Sequence, residues 1–113
     1  MKIYKNKRGQ KIVFYAYNAK TLKPVTRDAK NIVGHLSKDT KVTKPIVEEY
    51  PTELNVASHS GVYFYNLTQE ETDAELIIFS AKSVTPDVVI ESQFILVEPE
   101  VAEIKSHSPQ LRR

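Results

Sequence analysis

Apolar residues alternate with a period of two in each of the long apolar segments of this chain, and that alternation constrains the fold more than any other feature. Residues 11–17 put Ile12, Phe14 and Ala16 on one face and Val13, Tyr15 and Tyr17 on the other. Residues 31–37 oppose Ile32, Gly34 and Leu36 to Val33 and His35, and residues 61–67 oppose Val62 and Phe64 to Tyr63, Tyr65 and Leu67. Residues 75–82 oppose Leu76, Ile78 and Ser80 to Ile77, Phe79 and Ala81. Residues 88–97 are expected to form one last long strand, with Val88, Ile90, Ser92, Phe94 and Leu96 toward the core. Segments of this length, rich in β-branched and aromatic side chains, are strands. The four phenylalanines, Phe14, Phe64, Phe79 and Phe94, fall one per long strand and are expected to fill the interior.

Turn signals separate these runs. Residues 18–28 read as a loop or irregular hairpin in which Pro24 stops any central strand, and residues 38–44 read as a turn. Pro45 and Pro51 bracket an expected short edge strand around Pro45–Glu49, and a further short strand is expected at Glu53–Val56. Thr68-Gln69-Glu70-Glu71 is a capping box, in which the Thr68 hydroxyl and the Glu71 carboxylate satisfy each other's backbone N–H groups. One helical turn near 69–73 follows from it. The expected fold is therefore all-β: an immunoglobulin-like antiparallel β-sandwich of six or seven strands with one short helical turn. It occupies residues 1–98, with 1–10 as an N-terminal arm or first strand, and 99–113 form a polar C-terminal tail.

Composition narrows the chemistry. A chain of 113 residues with 41% hydrophobic residues builds one core and is too apolar to remain disordered. The absence of cysteine excludes a disulfide scaffold, a thiolate zinc site and a cysteine nucleophile. Three glycines and no GxGxxG or GxxxxGK leave no phosphate-cradling loop. His35, His59 and His107 are far apart in sequence. Ser58, His59 and Asp73 make a triad only on paper, since no nucleophile-elbow sequence accompanies them. Glu70, Glu71, Asp73 and Glu75 lack the EF-hand spacing and fit helix capping better than calcium. The expectation is no catalytic residue, no cofactor, no metal and no small-molecule substrate. No apolar run approaches the roughly 20 residues of a membrane span, and the charged N-terminus lacks the apolar stretch of a secretory signal.

Charge is divided along the chain. Residues 1–44 carry twelve Lys or Arg and two acids, whereas residues 45–104 carry one lysine and twelve acids. Either the two signs interleave across the sheets, as cross-strand pairs ordinarily do, or they lie on opposite faces and drive docking. Nucleic-acid binding is disfavoured because the acidic half would repel a phosphate backbone. The aromatic faces point to contacts with other proteins, since Tyr joins apolar area to a polar tip. Candidate interface residues are Tyr15, Tyr17, Tyr65, Ile95 and Val97, with Leu111, Arg112 and Arg113 in the tail. Tyr15 and Tyr17 fit either an interface or a second covered face. Tyr63 fits better as a corner tyrosine bonding back to the backbone.

Several blocks then form a pattern: Asn31, Ile32, Ser37, Lys38 and Asp39; Pro51, Thr52, Glu53 and Leu54; Gly61, Tyr63, Tyr65, Leu67, Thr68, Glu71 and Thr72; and Lys82, Ser83, Thr85 and Val88. Over about residues 11–98 this resembles a group of small immunoglobulin-like structural proteins of tailed bacteriophages and prophages. The G-x-Y-x-x-x-L-T-x-x-E block is also similar to immunoglobulin-like domains of phage baseplates. Lys23 stands where that pattern has a turn glycine before Pro24. The resemblance implies a non-enzymatic virion protein, assembled in the bacterial cytoplasm, whose partners are other virion proteins including copies of itself. Its expected place is a head–tail neck, a tail accessory or a capsid decoration. The alternative is a host-surface recognition module, binding glycan or protein, of a tail or baseplate.

Overall fold

The computed structural model of the chain describes residues 2–99. Two four-stranded antiparallel sheets pack face to face. Their strands are β1 (Gln10–Asn18), β2 (Ile32–Lys38), β3 (Thr43–Pro45), β4 (Thr52–Glu53), β5 (Val62–Leu67), β6 (Leu76–Ser83), β7 (Val88–Ile90) and β8 (Gln93–Leu96). The first sheet has the order β4-β5-β1-β7 and the second β3-β2-β6-β8. The chain crosses between sheets after β1, β3, β5, β6 and β7, as an immunoglobulin-like sandwich does. Single 3₁₀ turns occupy Ala29–Asn31 and Glu70–Thr72.

The core follows the alternation of the long strands. Ile12, Phe14 and Ala16 of β1, Ile32 and Leu36 of β2, Tyr63, Tyr65 and Leu67 of β5, and Ile77, Phe79 and Ala81 of β6 are all buried. The central rings are two phenylalanines and two tyrosines. Phe14 lies 5.7 Å from both Tyr63 and Tyr65 and 5.2 Å from Phe79. Tyr63 and Tyr65 replace the expected Phe64 because their hydroxyls find backbone partners inside the sandwich. The Tyr63 hydroxyl donates to Val25 O at 2.8 Å and accepts from Asp28 N–H. The Tyr65 hydroxyl reaches Ile32 O at 3.4 Å. Phe64 is left half-buried on the outer face of the first sheet.

The last strand is where the alternation misleads. Residues 88–97 are two strands in two different sheets, β7 beside β1 and β8 beside β6, with Glu91 and Ser92 crossing between them. The crossing inverts the side that faces inward. Val88 and Ile90 pack against the core in β7, but Ile95 and Val97 do so after the crossing. Phe94 and Leu96 are therefore 72% and 76% exposed. The strand count rises to eight for the same reason. The edge strand around 45–49 lies earlier, as β3, and the strand near 53–56 is the two-residue β4.

At the N-terminus Ile3 is fully buried, and Tyr4 bridges in parallel to Glu98, so this segment lines the sandwich as an initial strand-like edge. In the 18–25 hairpin the left-handed residue is Leu22 (φ 62°), one position before Lys23. Gly34 is required by packing. A Cβ there would lie 2.6 Å from Cε2 of Tyr65 and 2.9 Å from Cδ1 of Ile46.

Burial pushes the Tyr65 hydroxyl pKa up to about 12. The unfolded chain ionises that group near its ordinary value of about 10. The neutral phenol thus contributes stability that is complete below pH 10 and declines as pH rises toward 12. Denaturant melts of the native chain and Tyr65→Phe between pH 8 and 11.5 should show a steeper alkaline loss for the native chain. Equal slopes would disprove the assignment.

Candidate functional site

Several polar residues of the sequence pattern, among them Asn31, Asp39, Thr68, Glu71, Thr72, Ser83 and Thr85, take part in three hydrogen-bonded knots. In the first, buried Asp28 accepts from Asn31 Nδ2 at 2.8 Å and Thr85 Oγ1 at 2.6 Å through one oxygen, and from the Ser83 hydroxyl through the other. This ties the segment entering β2 to the end of β6. Burial opposes ionisation of Asp28, but the Ser83, Thr85 and Asn31 hydrogen bonds outweigh it and hold the carboxyl below the usual range.

The second knot is the realised capping box. Thr68 N–H donates to Glu71 at 2.8 Å, and Glu71 N–H donates to the Thr68 hydroxyl at 3.2 Å. The other Glu71 oxygen accepts from Val47 N–H at 2.9 Å. The fully buried Thr72 hydroxyl accepts from Lys7 N–H and lies within bonding distance of Lys7 O and Gln69 O, which fastens the N-terminal segment. In the third knot, Asp39 Oδ1 accepts from the N–H groups of Glu75 and Leu76 at 2.9 and 3.0 Å. The Leu76 and Glu75 backbone bonds hold its carboxyl below the ordinary range. Each of these carboxylates and hydroxyls is committed to the scaffold. Among the described residues, no group of three or more His, Cys, Asp or Glu is placed to hold a metal ion.

The two ion pairs among the described residues, Lys5–Glu75 at 2.8 Å and Lys20–Asp87 at 3.6 Å, each join a base of the first 44 residues to an acid of the later half.

The outside of each of the two sheets carries an apolar patch. On the first sheet, the register sets Val13 opposite Phe64, Tyr15 opposite Val62 and Tyr17 opposite Val89. Tyr15 is 43% exposed and stacks on Tyr17 with ring centroids 5.9 Å apart. The Tyr17 hydroxyl donates to Glu91 at 3.2 Å, a bond that raises its pKa above the ordinary value. A shallow dent of about 360 Å³ beside Tyr15 is lined by Val13, Val62, Glu91 and Gln93. On the second sheet, Phe94 sits across from Ile78 and Leu96 across from Leu76. Val97 N–H bonds Glu75 O, so the odd residues of β8 face β6 and the backbone groups of Phe94 and Leu96 point to the open edge.

Tyr15 and Tyr17 are thus brought together on an outer face. Tyr65 and Ile95 are buried in the core, and Val97 is half-buried with its side chain packed against the core, so the structure does not present these three on an outer face with Tyr15 and Tyr17. Tyr65 sits on the inward phase of β5, and Ile95 and Val97 face inward because of the sheet crossing. Leu111, Arg112 and Arg113 lie outside the described residues. Sequence reasoning missed Phe94 and Leu96. The available signal was Glu91-Ser92, a polar pair in the middle of an apolar run.

Comparison of the chain with protein-family models, curated proteins and solved structures gave no match.

Proposed function

We propose that this chain is a non-enzymatic structural protein of a tailed-phage virion, working by protein–protein assembly at a neck, tail or capsid surface. The observation that carries the reading is the pair of solvent-facing apolar patches on opposite outer faces of one small sandwich. Patches on both sides suit a part that bridges neighbours, because contiguous exposed apolar surface marks interaction sites. The distribution of aromatics favours assembly over host recognition. Tyr15 and Phe94 are exposed on strands, whereas Tyr50 is the exposed aromatic of a loop. The motif residues support the same reading, since they brace the fold and leave the sheet faces as working surfaces.

The test is mass spectrometry of purified phage particles. The native protein should be present in stoichiometric amount. The double variant Phe94→Asp/Leu96→Asp should keep its β-rich circular dichroism and fall at least about tenfold in particle occupancy, since truncating central interface anchors typically costs 2 kcal/mol or more. Absence of the native protein from clean particles would defeat the reading.

A further inference from the structure

We propose that the side mouth of the sandwich, between the β2–β3 hairpin and the Thr68–Glu71 turn, is a docking cleft for an acidic, apolar peptide segment of a partner protein. The proposal rests on the assembly reading above and names the chemistry of one partner.

Two lysines stand where the alternation would place core residues. The register sets Lys38 across from Ile77 and Lys44 across from Leu36, and residues directly opposite share a face of the sheet. Ile77 and Leu36 are buried, so both lysines belong to the face of the second sheet that turns toward the first. Lys44 is nonetheless exposed, because the first sheet does not cover the edge strand β3 there. The result is a hollow of about 640 Å³ with the buried Leu36 at its base and the Thr68–Glu71 turn as its far wall. Ligand sites span roughly 300–1,000 Å³. Both walls are braced. Lys41 N–H donates to Lys38 O at 2.9 Å, and the Ser37 hydroxyl donates to Lys41 O at 2.8 Å. Glu71 holds Val47 N–H on the other side. A cleft fixed before binding loses little entropy when it is filled.

Charge and exposed apolar area select the occupant. The charged groups lining the cleft are Lys38, Lys41, Lys44, Glu70 and Glu71. The Lys38 ammonium donates to Glu70 O, and the Glu71 carboxylate accepts from Thr68 N–H and Val47 N–H. Lys41 and Lys44 enter neither of the two ion pairs among the described residues. The hairpin wall therefore offers two ammonium groups to a carboxylate, while Glu70 repels acids from the far wall. Val42 and Val47 also line the cleft and are 77% and 70% exposed. A ligand that covers both valines extends beyond the hollow, as a peptide does and a small carboxylate does not. Its acids face Lys41 and Lys44, and its apolar side chains cover Leu36, Val42 and Val47. Pro45 denies the edge of β3 a backbone donor, so the segment docks by side chains rather than as an added strand.

Titrating the full chain with the acetylated, amidated peptide Glu-Leu-Glu-Val-Glu, followed by heteronuclear NMR, tests this. Amide shifts should move at residues 38–47 and 68–71, with a dissociation constant of roughly 0.1–1 mM. The same peptide with glutamine for every glutamate should bind at least about tenfold more weakly. The double variant Lys41→Glu/Lys44→Glu should lose the acidic peptide by a similar factor while its shifts away from the cleft stay native. No shift at about 5 mM peptide, a dissociation constant well above the expected range, would overturn the proposal. So would shifts confined to another surface, equal binding of the glutamine peptide, or undiminished binding by the double variant. Hexanoate binding as tightly as the peptide would overturn it too, by assigning the cleft to a small carboxylate. A cleft that binds in a protein absent from purified particles keeps the docking site and ends the assembly reading. A blank titration of a protein present in particles does the reverse.

Discussion

Replacing Asp28 with alanine is expected to lower folding stability by about 2 kcal/mol, because a buried carboxylate that accepts from three side chains is lost and its half-exposed donors must turn to water. Ser83, Thr85 and Asn31 all donate to it, and its own N–H donates to the Tyr63 hydroxyl. Asp28→Asn preserves the shape but reverses one hydrogen-bonding role, so roughly half that loss is expected. The pH dependence gives a second readout. The folded carboxyl titrates below its ordinary value, so the unfolded chain binds more protons as pH falls through about 4. The stability from this group is complete above that value and is lost as pH drops through the folded pKa. Urea melts between pH 2.5 and 7 should show a shallower acid limb for Asp28→Asn. Part of the limb should persist through Asp39, whose carboxyl is also held low. An Asp28→Ala loss under 1 kcal/mol would show that the knot is not structural.

Gly61→Ala is expected to cost about 3 kcal/mol, from two sources that act together. The residue stands at φ +80°, a conformation costing an alanine roughly 1–2 kcal/mol. Its Cβ would also lie 2.9 Å from the Ala16 carbonyl oxygen and 2.8 Å from Cβ of Pro24, and overpacking of this kind costs about 1–3 kcal/mol. The carbonyl is backbone inside the β1 strand and cannot rotate aside. The Gly61 carbonyl also accepts from Ala16 N–H at 2.9 Å, so a shift to relieve the clash would weaken the β1–β5 pairing. The measurement is the denaturant midpoint of the variant against the native chain, with an unchanged m-value. A midpoint within experimental error of native would refute the packing argument.

The two-sheet architecture was legible because alternation is a local property. Each of β1, β2, β5 and β6 divides its residues between two faces in its own sequence, and proline, asparagine and the capping box mark the ends. The Thr68–Glu71 box formed as the residue spacing requires, since both partners lie within one turn. The surface was less legible. Alternation separates two faces without saying which one is inside, so in β5 Tyr65 rather than Phe64 went inward. Across residues 88–97 it offered a single phase where the chain has two.

From its residues alone this chain was bound to form short antiparallel strands with one capped turn, because those outcomes depend on near neighbours. The packing of one sheet on the other decided the rest. A hydroxyl that can reach a backbone carbonyl makes tyrosine a better core residue than phenylalanine at that site. A strand that leaves one sheet for the other reverses its inward side, and this crossing is what exposes Phe94 and Leu96. Both outcomes depend on partners distant in sequence, so they emerge only when the two layers close.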